Sequence, residues 1–591
     1  MLKLSTKLPR NSIAQLTLAS AIAVGCIFGS LSGCGGTTGV VPAGATNTPG
    51  SGGSSGSGGS GGGTGGGTGS GGGSSQPPFG VYTSRYDQAR SGLNSNETKL
   101  TLQNVGTSFG KLKALSLDGP TFTQPLYVPA VSVNGASHNV VIVGTEHDSL
   151  YAFDADDGTQ LWKRSFLENG ATTLSDDFNH GRTGLGPEVG ITGTPVIDPT
   201  SGHLYVATMT VESGSPHWRL HAVDITSGND VMSAAEIAGS VSGSGTGSQN
   251  GTVTFQPEIQ NQRTGLALAN NVVYVPFSSY SDLGPYHGWV FAFDASSLKM
   301  IDVFNTSPDG EGSAIWEGGT APAVDADGAL YFSTGDGHDF NADTGGRNYG
   351  DSMLKIKLVN GKFQVVDYFT PYNQNCLDLM DLDFGSGAPL LVPGNNQIVM
   401  GSKEGRIYLV DRTNMGKFNA SGDSQILNWV NINSQTCDGT GGGIDANSPP
   451  RIYGAASYWN GNVYIGGVFG PLRSYRTDNN TLAQTGQTPT IFEGSGQLGR
   501  GPQSTVSSNG NSNAIVWALS KKVQSDPSIN NHMTLHAYDA TDISHEIYSS
   551  DWNSSRDSLP QAGTVFDLPI VVNGKLYVVV GNSLYVYGLV Q

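Results

Sequence analysis

Residues 139 to 162 read NVVIVGTEHDSLYAFDADDGTQLW. Two short strands and a turn are written in this stretch. Asn139 to Gly144 is an apolar, β-branched run, and Ser149 to Asp154 alternates Leu150 and Ala152 with Tyr151 and Phe153 before the turn at Asp157-Gly158. Trp162 follows far enough past the turn to lie back over the paired strands as an aromatic plug.

The same apolar strand recurs as Val140 to Val143, Leu204 to Ala207, Val272 to Val275, Leu330 to Ser333, Ile398 to Gly401, Val463 to Gly466, Ala514 to Trp517 and Leu576 to Val580. Self-similarity at this spacing is the mark of a radial repeat. A preceding strand with a proline near its middle accompanies most copies, at Pro125, Pro195, Pro322, Pro389 and Pro569. Proline cannot donate to a ladder, so these strands are expected innermost, with one edge facing the central channel. Lys111 to Asp118 is a lone early strand, and the last repeat ends at Tyr585 to Leu589, so pairing the two would close a ring. The fold expected is all-β, an eight-bladed β-propeller.

Composition agrees. There are 85 glycines in 591 residues and only 13% of the chain is charged, which suits many short strands and tight turns. A formal charge of −18 argues against nucleic acid as partner.

The first 33 residues carry Lys3, Lys7 and Arg10 and no acid, then an apolar run, then Leu31-Ser32-Gly33-Cys34, which resembles a bacterial lipobox. The expected organisation is a lipoprotein signal peptide over 1–33, a Gly/Ser-rich flexible tether over 34–78, and the propeller over 79–591. Cys34 would be the acylated first residue, and membrane contact would be through that lipid anchor. Gly35 follows it where many inner-membrane lipoproteins carry Asp, so the expected location is the cell envelope, at the outer membrane. Cys376 and Cys437 remain, as a disulfide in an oxidising compartment or as two free or buried thiols.

The pattern Ala152-x-Asp154, Gly158, Trp162 resembles the tryptophan-docking repeat of the quinoprotein alcohol dehydrogenase-like (PQQ-like) propellers. That resemblance implies the propeller fold and, in the enzymes of the family, pyrroloquinoline quinone (PQQ) with Ca²⁺. Such a site needs an anion cradle, an aromatic plate, a Ca²⁺ and a carboxylate base. The starts of the innermost strands are expected to bring Gln124, Glu188, Arg263, Glu317, Asp383, Arg451 and Arg500 to one mouth of the channel. This ring would hold an anionic ligand or be a solvated mouth of mutually satisfied charges.

Asp339, Asn341 and Asp343 alternate as oxygen ligands do in calcium loops, although the EF-hand Gly position holds Thr344; their other reading is turn capping. His287 and His338 are candidate acid–base residues. Two functions follow. The first is an envelope propeller that binds another protein or a polymer through the insertions Leu167 to Gly190, Gly239 to Gln262 and Thr370 to Gly385. The alternative is a PQQ- and Ca²⁺-dependent dehydrogenase of alcohols or sugars, with Arg263 or Arg500 on the quinone carboxylates and Glu317 or Asp383 on Ca²⁺ or as base.

Overall fold

The computed structural model describes residues 79–176, 186–433, 437, 450–492, 501–522, 532–560 and 567–590. Alternating apolar and polar residues make short strands, and the glycine turns fold them into antiparallel meanders of four. Eight meanders form the eight blades of a propeller. Blade 1 runs through Leu126–Val133, Ala136–Thr145, Ser149–Asp154 and Gln160–Ser165. The innermost strands of blades 2 to 8 are Val196–Asp198, Ala267–Ala269, Ala323–Val324, Leu390–Leu391, Ser457–Trp459, Gln503–Asn509 and Ile570–Val572. The ring closes as expected, because Phe109–Ser116 pairs antiparallel with Ser583–Leu589 and so supplies the outer strand of blade 8.

No single blade buries both its faces, so the core lies between neighbours. Trp218 of blade 2 meets Phe277 of blade 3 edge to face at 5.5 Å, inside a layer that includes Tyr205, Trp289 and Phe291. Trp162 corrects the sequence reading in a related way. It does not fold back over its own strands; its Nε1 donates to Ile225 O at 2.9 Å. A Cβ on Gly228 would stand 2.7 Å from its ring. The tryptophan therefore docks on the turn of the next blade, and Gly228 is needed both for that contact and for its own φ of 75°.

The channel is not open as the proline pattern suggested. Residues 81–94 enter it as a loop and hydrogen bond to the innermost strand of every blade. Val81 exchanges two backbone bonds with Tyr127, and Tyr82 O accepts from Ile197 N. Gln88 Nε2 donates to Leu268 O at 2.8 Å. Gln88 O, Ala89 O, Ser91 O and Gly92 O accept from Val324, Leu391, Tyr458 and Val506. The Tyr86 hydroxyl accepts from Val571 N at 2.7 Å. The five prolines stand one residue before the strands this loop covers.

The two limbs of the loop run oppositely. Val81 pairs antiparallel with Tyr127, whereas Leu93-Asn94 pairs parallel with Val506-Ser507. The tip, Arg85 to Arg90, thus lies at the end of the channel where the innermost strands begin, and both limbs lie toward the other end. At the tip Arg85 donates to Ser504 O and Ala456 O, and Arg90 donates through Nε and Nη2 to Pro322 O. Arg85, Tyr86 and Arg90 all have positive φ, a strain that these buried bonds hold in place.

Candidate functional site

Loops that enter the innermost strands, and loops that join second to third strands, meet at the mouth above this tip. In blade 4 the second strand, Leu330–Ser333, runs out into Thr334-Gly335-Asp336, and the amide of Asp336 donates to Asp383 Oδ1 at 3.0 Å. Asp383 lies on the loop entering blade 5. Lys403, in the turn after Gln397–Gly401, donates from Nζ to Asp383 Oδ2 at 3.1 Å and to Asp381 Oδ1 at 2.5 Å. Oxygen atoms of Asp336, Asp381 and Asp383 lie within 4.8 Å of one another.

Gly335 makes this convergence possible. A Cβ there would stand 2.2 Å from Asp383 Oδ1 and 2.5 Å from Trp316 Nε1. Trp316 is 8% exposed, and its indole N–H has no hydrogen-bond partner. The Arg263 guanidinium lies over the Trp316 ring at 5.1 Å and Arg451 over Tyr453 at 5.5 Å. Tyr286 donates to Asp282 Oδ1 at 3.2 Å on the rim.

The carboxyls are electrostatically unequal. Burial raises the Asp383 carboxyl, but Lys403 and the hydrogen bonds from Asp336 outweigh it and hold it down to about 2. Asp336 moves the other way, pushed well above the carboxylate range by burial and by the Asp383 charge. Lys403 is raised despite burial because Asp383 and Asp381 face it. The mouth therefore carries a fixed carboxylate and a fixed ammonium beside a carboxyl whose hold on a proton is strengthened.

Of the residues singled out in the sequence, the structure brings Arg263, Asp383 and Arg451 to this mouth. Glu317 is beneath it, fully buried, accepting from Ser333 N at 3.0 Å with Arg90 as its nearby charge. Gln124 is spent on the channel loop, accepting from Arg85 N. Glu188 pairs with His147 at 2.9 Å. Arg500 lies outside the described residues, as does Cys34.

In the loop with alternating acids, Asn341 Oδ1 accepts from Asn348 N and the Asp339 carbonyl accepts from Asn348 Nδ2. Asp343 sits in the turn Ala342–Thr344. His287 is buried, with Nδ1 at Ser307 and Nε2 at Thr246 O, and burial lowers its pKa. His338 pairs with Asp378. Cys376 and Cys437 are joined in a disulfide with a Cα–Cα distance of 5.8 Å.

Sequence reasoning missed Trp316, Asp336, Asp381 and Lys403. Position alone carried the signal: each stands in the loop before an innermost strand or just after a second strand.

No family model matches the chain, and no curated protein matches it in sequence. Among solved structures, the chain is similar to the quinohemoprotein alcohol dehydrogenase of Comamonas testosteroni, with a TM-score of 0.53 at 15% identity over 86% of this chain and 80% of that one. The quinohemoprotein alcohol dehydrogenase ADHIIG of Pseudomonas putida HK5 gives 0.53 at 16% identity over 87% and 81%. BamB of Moraxella catarrhalis gives 0.44 at 12% identity over 81% and 98%. The chain thus shares the eight-bladed propeller fold of the quinoprotein alcohol dehydrogenases.

Proposed function

We propose that the mouth binds Ca²⁺ on Asp336, Asp381 and Asp383 together with PQQ beside Trp316, and that the protein is a dehydrogenase of alcohols or sugars. The observation that carries this reading is the convergence of three acidic side chains and Lys403, with Asp383 beside the buried indole N–H of Trp316, which has no partner. Oxygen donors at this spacing suit a hard divalent cation. The fit extends to the quinone: Trp316 offers an aromatic plate, and Lys403, Arg263 and Arg451 offer positive charge to a tricarboxylate.

When bound, PQQ supplies a two-electron acceptor for the hydride of an alcohol carbon. The chain's own residues do the rest. Asp383, ionised throughout the working pH range, anchors the cation and fixes Lys403. Asp336 is the carboxyl placed to hold the substrate hydroxyl proton at its Oδ. The loop over 81–94 floors the mouth, so ligands enter and leave from one side. The insertions that suggested a partner-binding face also build this mouth: Thr370 to Gly385 contributes Asp381 and Asp383, and Gly239 to Gln262 is bound to its wall through Gly245 N to Pro308 O and Thr246 N to Gly310 O.

The test is titration of the purified full chain with PQQ, with and without Ca²⁺, followed by absorption and by dye reduction with an alcohol panel. Ca²⁺-dependent stoichiometric binding with alcohol-dependent dye reduction is expected. Absence of PQQ binding at saturating Ca²⁺ overturns the assignment.

We also propose that Cys34 carries the lipid and holds the protein at the outer membrane. Supporting this are the leader's charge order and motif. Labelling with a palmitate analogue in cells, lost in Cys34→Ser, is expected; equal labelling of the variant overturns it.

A further inference from the structure

A second set of buried oxygens lies apart from the trio at Asp336, Asp381 and Asp383. The loop joining the second and third strands of blade 1 is Glu146-His147-Asp148, and three of its backbone groups are hydrogen bonded. Glu146 N donates to Pro120 O, Asp148 N donates to Thr145 O, and Asp148 O accepts from Phe166 N. Asp148 has φ of 48°, so the chain holds a non-glycine residue in the left-handed region here. Gly190 packs against this turn: a Cβ would stand 2.5 Å from Glu146 O and 2.8 Å from Asp148 Cγ.

The side chains are less well served than the backbone. Glu146 Oε2 accepts from Gly190 N at 2.8 Å and from Thr192 Oγ1 at 3.0 Å. Glu146 Oε1 and both oxygens of Asp148 have no hydrogen-bond partner, although both residues are 0% exposed. The Met209 amide is the one backbone donor that faces the Asp148 carboxyl among the described residues. From blade 3 comes Tyr280, also 0% exposed, whose hydroxyl is likewise unpartnered and whose charged neighbours are Glu146 and Asp148.

Acids dominate the surroundings. Glu188 and Asp118 act on the pair, while the basic side chains His147 and Lys163 are turned to Glu188 and Asp118 at 2.9 and 2.8 Å. A buried carboxyl with no partner costs several kcal/mol, on the order of 2–7 even for a neutral polar group. Three orphaned carboxylate oxygens and a phenol are an all-oxygen donor set, the kind that hard cations take.

We infer that Glu146, Asp148 and Tyr280 form a second calcium site, which joins the mouth ends of blades 1 and 3. Its role is structural: it ties the second-strand exits of two blades together. Its existence does not depend on the quinone assignment.

Calcium bound per chain, measured by equilibrium dialysis of the full-length protein after chelator treatment, tests this. The wild type is expected to hold two ions, the double variant Glu146→Gln/Asp148→Asn one, and Asp383→Asn one. If the mouth assignment is wrong and this one is right, the wild type holds a single ion that only Glu146→Gln/Asp148→Asn removes. Equal calcium in wild type and in that double variant overturns the second site. Tyr280→Phe, which keeps both carboxylates and the ring, guards against a misfolded double variant: calcium affinity at this site is expected to fall about tenfold, and an unchanged affinity overturns the assignment of Tyr280. PQQ binding is expected to persist in Tyr280→Phe.

Discussion

The amide of Asp336 donates to Oδ1 of Asp383 at 3.0 Å, and this bond ties the second-strand exit of blade 4 to the entry of blade 5. It leaves Asp383 Oδ2 to Lys403, and the two carboxyls are shifted in opposite directions, Asp383 down and Asp336 up. The roles proposed for the two residues then separate experimentally. Asp383→Asn removes the fixed charge and is expected to weaken Ca²⁺-dependent PQQ binding by about 100-fold or more. Asp336→Asn keeps two carboxylates and the backbone bond. Its Ca²⁺-dependent binding is expected to weaken less than that of Asp383→Asn, because the amide oxygen is kept, while at saturating Ca²⁺ and PQQ alcohol-dependent dye reduction falls by roughly 10²- to 10⁴-fold, the range of a lost acid–base group. Parallel titrations and steady-state rates check both.

The Asp383–Lys403 pair also fixes an acid limit of stability. Asp383 sits at about 2 in the folded protein against 3.8 otherwise. A depressed carboxyl stabilises above its unfolded value and loses that contribution as pH falls toward the folded one. Between pH 4 and 2 the native state is expected to lose about 2 kcal/mol from this group alone. Lys403→Met removes the cause, so its stability is expected to be lower at pH 7 by about 3 kcal/mol, with a flatter acid limb. Urea unfolding at a series of pH values shows both.

Arg90 is the side chain that fastens the channel loop. It is fully buried and donates to Pro322 O twice, to Thr83 Oγ1, to Ser84 O and to Asp87 O. Arg90→Ala orphans those acceptors inside the hub and is expected to cost about 3 kcal/mol. Arg90→Lys keeps the charge and loses the planar fork, so it is expected to recover less than half of that. Denaturant midpoints at constant m-value are the measurement.

The architecture was legible because each blade repeats one strand pattern, and period-2 alternation with a turn survives wide sequence drift. Phe109–Ser116 could be matched to the last repeat for the same reason. The channel loop was not legible. Its bonds run from backbone carbonyls such as Gln88 O and Ser91 O to strands far away in sequence, and backbone acceptors leave no trace in side-chain pattern. The mouth was half legible. Arg263, Asp383 and Arg451 sit at a fixed offset before innermost strands, whereas Asp336 and Lys403 come from second-strand exits whose partners only the ring closure defines. Trp316 carries no pattern in the sequence that sets it apart; what marks it is a buried N–H without a partner.

The disulfide holds the loop that carries Asp381 and Asp383. Asn373, near its start, donates through Nδ2 to Glu404 Oε1 and to Cys437 O, and Cys437 N also donates to Glu404 Oε1. Closing a span of 61 residues is worth about 4 kcal/mol in the chain-entropy account. Cys376→Ser/Cys437→Ser is therefore expected to lower stability by up to that amount and to weaken Ca²⁺ binding at the mouth, because Asp381 and Asp383 lose their anchorage. Thermal scans with and without Ca²⁺ separate the two effects.

Gly335 gives the sharpest steric test of the mouth. Its backbone is not in the left-handed region, so alanine carries no conformational strain there; the added methyl would instead fall 2.2 Å from Asp383 Oδ1 and 2.5 Å from Trp316 Nε1. Something must move, and both obstacles belong to the proposed ligand set. Gly335→Ala is expected to abolish Ca²⁺-dependent PQQ binding while costing roughly 1–3 kcal/mol, the range for overpacking by one methyl. Gly345→Ala is the control. That residue has φ of 87° with open space around it, so the change is expected to cost about 1 kcal/mol of backbone strain and leave binding intact. If Gly335→Ala binds PQQ as the wild type does, Asp383 and Trp316 do not hold the ligand.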